Sequence, residues 1–191
     1  MTIIKSTKFL EFKSAKSPSG SDWYYVRRTN DTPKHDSAVV ITTLVKINNE
    51  YNYLFLKTKR PPLYAENKCE FCLESPAGLI GDVDCSENLL SCIEKELLEE
   101  VGLKANEIHL ELLNSAASAG LSSETLSFAT AIVNVNEVIS EPISDGGIIV
   151  ERFFVKANEV YEYLEKLDKK EISIAAATVC GIFYAQQRLI K

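Results

Sequence analysis

The sequence predicts an α/β fold: a mixed β-sheet covered by helices, with an N-terminal β-hairpin arm. Three observations carry this expectation. β-rich runs occupy the first third and the middle of the chain, one strongly amphipathic helix interrupts them, and two helical stretches close the chain. That order differs from the regular strand–helix alternation of a doubly wound sheet. The 191 residues suffice for one domain with a full core plus an arm, and 46% apolar with 25% charged residues is ordinary for a globular chain.

Residues 7–13 (TKFLEFK) and 22–28 (DWYYVRR) read as two strands around the turn-rich SPSGS. The polar run NDTPKHD then separates an arm, residues 1–33, from a main domain, residues 34–191. Residues 37–47 and 51–58 are β-rich and joined across Asn48-Asn49-Glu50, a hairpin connection. Pro61-Pro62 breaks the chain, residues 69–75 resume extended structure, and Pro76-Ala77-Gly78 turns out of it. A helix is expected over residues 86–101, with Ser86 as N-cap and Glu87 in the first turn. Leu90, Ile93 and Leu97 form its apolar face, Leu89 widens it, and Gly102 suits the left-handed position just past its end. Strands follow near 108–114, 125–134 and 148–155, then helices over 157–167 and 174–189.

The chemistry concentrates at the end of the first long helix. Glu96 and Glu100 stand one turn apart with Glu99 beside them, so their Cβ atoms lie roughly 5–6 Å apart. Three carboxylates this close repel one another and oppose the macrodipole at a helix C-terminus. A divalent cation removes the penalty, and hard oxygen donors suit Mg²⁺, with Mn²⁺ as the alternative. The net charge of −6 argues against nucleic acid or an anionic membrane as partner. No apolar run approaches the roughly 20 residues of a membrane span. The stretch MTIIKSTKFLEFKSAK has no sustained apolar run and no small-residue cleavage site, which is not the pattern of a signal peptide. Cys69 and Cys72 form a CxxC, but neither His35 nor His109 supplies ligand-like spacing, so both read as buried strand residues in a reducing, cytoplasmic setting.

Gly81, five residues, Glu87, seven residues, then Lys95-Glu96-Leu97-Leu98-Glu99-Glu100-Val101-Gly102-Leu103 resembles the Nudix hydrolase signature. Every specified position fits except the family's arginine, where Lys95 stands. Glu74-Ser75-Pro76-Ala77-Gly78-Leu79-Ile80 resembles the E-L-P-A-G-x-I segment of the ADP-ribose pyrophosphatase branch. Lys59-Arg60-Pro61-Pro62 is similar to the Q-Y-R-P-P before it, and Ser122-Ser123-Glu124 to the S-x-E of a later active-site loop. Trp23 with Arg27 and Arg28 is similar to that branch's N-terminal arm.

The resemblance implies an α/β/α sandwich and Mg²⁺-dependent hydrolysis of a nucleoside diphosphate derivative, ADP-ribose first, to AMP and ribose 5-phosphate. Glu96, Glu99, Glu100 and the Ala77 carbonyl would be metal ligands. Glu99, Glu100, Glu124 and Asp145 would be catalytic, the last two as candidates for handling the attacking water. Trp23, Arg28, Arg60, Glu74 and Gly78 would bind substrate, with Trp23 against the base and the arm building a homodimer. Three departures accompany it. Eight residues intervene between Gly78 and Glu87, which implies a lengthened loop. Lys95 lacks the planar fork of arginine. The loop Ser144-Asp145-Gly146-Gly147-Ile148-Ile149 carries no glutamate. They leave two alternatives: another nucleotide sugar such as UDP-glucose, or a non-catalytic nucleotide-binding module.

Overall fold

The computed structural model describes residues 1–29, 37–82, 84, 86–134, 148–167 and 171–190. Strands β1 (Thr2–Ser6), β2 (Leu10–Lys16) and β3 (Asp22–Arg28) form an antiparallel sheet of their own. The expected hairpin is therefore joined by a further strand, β1, paired along β2. The larger, eight-stranded sheet is built around β4 (Ser37–Ile47) and β5 (Glu50–Thr58). Asn48 and Asn49 join them with φ of 49° and 65°, the left-handed pair that a two-residue hairpin turn requires.

β4 runs antiparallel to β5 and parallel to β9 (Thr125–Asn134), which pairs with the edge strand β8 (Glu107–Ala116). β5 takes β10 (Ile149–Lys156) along one side and shares the other between β4 and β6 (Phe71–Glu74). β11 (Ile172–Ile174) continues the sheet parallel to β6. Both parallel and antiparallel pairs occur, so the sheet is mixed, as the sequence predicts.

Strand alternation divides the core in two. Val39, Ile41 and Val45 of β4 join Leu54, Leu56, Ala129, Ala131 and Val133 on one face. There they pack on Cys92, Ile93, Leu97 and Val101 of α2 (Leu89–Val101). Leu44, Tyr53 and Phe55 point the other way, against Val160 and Leu164 of α3 (Val160–Lys166) and Ile182 and Ala185 of α4 (Ala176–Leu189). Helices therefore cover both faces. Each fully buried leucine or isoleucine contributes about 1.5–3 kcal/mol of transfer free energy.

Local outcomes differ from the sequence reading at three points. α2 begins at Leu89, not near Ser86, because the Asn88 side chain accepts from Leu90 and Ser91 N–H while Ser91 Oγ accepts from Asn88 N–H. The Ser86 hydroxyl instead donates to Asp84. Pro61-Pro62 opens a helix, α1 (Pro61–Asn67), since proline in a first turn forfeits no helical hydrogen bond. Ala77–Leu79 is a short strand, β7, paired antiparallel to β4, where only a turn was expected. Cys69 and Cys72 are buried free thiols, and burial pushes the Cys72 thiol up to about 12. No described helix is long and apolar enough to cross a membrane.

Candidate active site

The pairing of β7 with β4 sets Gly78 opposite Val39, and the Ile41 N–H donates to the Pro76 carbonyl at 2.8 Å. This backbone is pressed onto the acidic end of α2. The Ala77 N–H donates to Glu100 Oε2 at 3.0 Å. A Cβ at Gly78 would lie 2.0 Å from Glu96 Oε1, so glycine is what lets the buried Glu96 carboxylate pass.

Burial, reinforced by Glu96, raises Glu100 to about 7, while the Ala77 amide and Arg60 pull it back. Burial likewise raises Glu96 to about 6 despite the opposing Lys95 charge, with Glu99 adding to the rise. Among the described residues no three His, Cys, Asp or Glu side chains are arranged as a finished metal cage. The donor set still fits magnesium, which takes one or two carboxylates and completes its shell with water and substrate phosphate. Two desolvated, mutually repelling carboxylates gain most from such a cation.

From α2, the Lys95 side chain reaches into the flanking loop. Its Nζ lies 2.9 Å from Asp82 Oδ1, 3.2 Å from Glu87 Oε1 and 3.3 Å from Glu96 Oε1. Burial opposes its charge, yet bonds to Asp82 and Glu87 and the nearby Glu96 hold its ammonium above the usual lysine range. The Gly81 N–H donates to Glu87 Oε2 at 2.8 Å, and Gly81 has a φ of 80°. Gly81 and Glu87 are thus bonded to each other, and Glu87 is tied through Lys95 to Glu96.

The expected substrate residues come together in pairs. Arg60 Nε donates to Glu74 Oε2 at 2.9 Å, its Nη2 lies 2.8 Å from the same oxygen, and Thr58 Oγ1 donates to it at 2.7 Å. Arg28 Nε donates to Glu124 Oε1 at 2.9 Å. The Trp23 indole N–H donates to the Gly120 carbonyl at 3.0 Å, with the side chain half exposed. The Val26 N–H donates to the Leu121 carbonyl at 2.8 Å, and Ser123 N–H returns to the Val26 carbonyl at 3.3 Å. The arm therefore docks on the 118–124 loop of its own chain. Asp145 lies outside the described residues. Sequence reasoning missed Arg152, whose Nε donates to the Glu100 carbonyl.

No family model and no curated protein matches the sequence. Solved structures do. A crystal structure of an ADP compounds hydrolase shares 20% identity, covers 100% of this chain and 91% of its own, and superposes with a TM-score of 0.69. The Nudix domain of Shewanella oneidensis NrtR, complexed with ADP ribose, shares 16% over 84% of this chain and 94% of its own, at 0.56. The chain has the Nudix fold. A Nudix hydrolase from Nitrosomonas europaea adds 17% identity over 80% of this chain and 90% of its own, at 0.52. The segment that resembles the Nudix signature has its acidic end on α2, with Gly81 and Glu87 hydrogen-bonded to each other before it.

Proposed function

We propose that the chain is a Mg²⁺-dependent hydrolase of the pyrophosphate bond in a nucleoside diphosphate derivative, with ADP-ribose, cleaved to AMP and ribose 5-phosphate, as the first substrate. The observation that carries this reading is the pair of desolvated carboxylates, Glu96 and Glu100, held against the Ala77-Gly78 backbone. Glu96, Glu99, Glu100 and the Ala77 carbonyl would hold the cation. Bound there, it would neutralise the pyrophosphate, polarise phosphorus and acidify an attacking water.

The chain's own residues do the rest. The Ala77 amide holds Glu100, and Lys95 holds Glu96, before substrate arrives. Arg60 is suited to bidentate contact with a phosphate oxygen pair, and Glu74 orients it. Trp23 offers a face for the base beside Gly120. Glu124, anchored by Arg28, and Asp145 are the two groups proposed to handle the water. The neighbour named as an ADP compounds hydrolase and the one complexed with ADP ribose support ADP-ribose as the first choice. Residues 1–33 are proposed to form a homodimer through the exposed Ile3, Ile4, Phe9 and Phe12, testable by light scattering.

Glu100→Gln preserves shape and removes charge. AMP release from ADP-ribose with Mg²⁺ is expected to fall by on the order of a hundredfold or more, with the melting temperature retained. A fully active Glu100→Gln protein would sink this assignment, and faster turnover of UDP-glucose would redirect the substrate.

A further inference from the structure

We infer that Arg152 is a positioning residue for the α2 carboxylates, acting through the backbone of Glu100. The inference rests on the reading of the acidic helix end as the reacting site. In the β10–β5 register Arg152 stands opposite Leu56 and Phe154 opposite Leu54. Alternation puts Arg152 on the face where Leu54 and Leu56 pack under α2. At this rim of the face, beside the half-exposed Phe154, the sequence sets a half-buried arginine.

Its Nε donates to the Glu100 carbonyl. The terminal carbonyls of a helix lack intrahelical partners. In α2 the Gly102 N–H takes the Leu98 carbonyl at 3.0 Å and the Leu103 N–H takes that of Leu97 at 3.1 Å. These capping bonds pass over Glu100, and Arg152 supplies its donor from β10. Glu100 is thereby held at both ends, its carbonyl by Arg152 and its carboxylate by the Ala77 amide. The guanidinium also brings positive charge to a helix end where the dipole and three glutamates all run negative. Without it the last turn frays, and Glu100 loses the orientation that a cation needs. Arg152 therefore tunes a ligand rather than touching the substrate.

Arg152→Gln and Arg152→Lys test this with two readouts independent of turnover. Amide exchange is followed at Gly102 and Leu103 with the Leu44 and Val45 amides of β4, which lies there between β5 and β9, as reference, and Mn²⁺ affinity is measured by electron paramagnetic resonance without substrate. Arg152→Gln is expected to speed exchange at the helix end alone and weaken Mn²⁺ about tenfold, with Arg152→Lys recovering part of both. Unchanged exchange and Mn²⁺ affinity in Arg152→Gln overturn the inference. So does equal acceleration at the helix end and in β4, which marks a merely structural residue. A wild-type protein that neither binds Mn²⁺ nor hydrolyses ADP-ribose defeats the functional reading instead. Exchange at Gly102 and Leu103 then still decides the role of Arg152.

Discussion

At the scale of single residues, Gly78 and Glu96 share one small volume. Gly78→Ala would set a methyl carbon 2.0 Å from the Glu96 carboxylate, so one of the two must move. The expected outcome is a loss of about 1–3 kcal/mol in urea denaturation, together with weaker Mn²⁺ binding. Lys95 makes the opposite case, a charge whose removal takes one ammonium from three carboxylates. Lys95→Ala removes the ammonium that Asp82, Glu87 and Glu96 share. A destabilisation of about 1–3 kcal/mol is expected by thermal unfolding, whereas Lys95→Arg keeps both stability and activity. The carboxylate spacing and the Ala-Gly segment were readable from the sequence, because helical period and a linear motif are local. The Lys95 triangle and Arg152 were not, since each joins positions that only the loop closure and the β10–β5 register bring together.

At the scale of elements, the start of α2 separates local propensity from tertiary choice. Ser86 and Asn88 are both good capping residues, and the sequence reading favoured the first. The chain uses Asn88, whose Oδ1 accepts from the Leu90 and Ser91 N–H groups, while the Ser86 hydroxyl donates to Asp84. Asn88→Ala is expected to cost about 1 kcal/mol in chemical denaturation and Ser86→Ala much less. Long elements were legible: β-branched and aromatic composition marks β4 and β5, which are buried on both faces, and helical period marks α2 and α4. β7 and β11 span three residues each, and their existence depends on pairing with β4 and β6. No periodicity can be read in so short a run. α1 escaped notice for another reason: two adjacent prolines signal a break, yet at the first helical positions they are tolerated.

At the scale of the molecule, the raised carboxylates link folding to pH. Glu96 and Glu100 rise from 4.5 to about 6 and about 7, so between those values the folded chain holds protons that the unfolded chain has released. Their contribution to stability is therefore greatest near and below pH 4.5 and declines as pH rises toward 7. Without metal, the wild-type melting temperature is expected to drop more between pH 5.5 and 8 than that of Glu100→Gln. Saturating Mg²⁺ should close much of that gap. A wild-type protein whose metal-free melting profile matches that of Glu100→Gln across this range would count against the linkage. The docked arm has a separate consequence. The sequence holds a single tryptophan, and Trp23 sits where β3 meets Gly120. Its ultraviolet emission is thus an intrinsic optical gauge of that one seam, blind to the rest of the chain. A titration cuvette can follow the arm lifting from its loop, or the proposed stacking of a base on the indole, with no label attached.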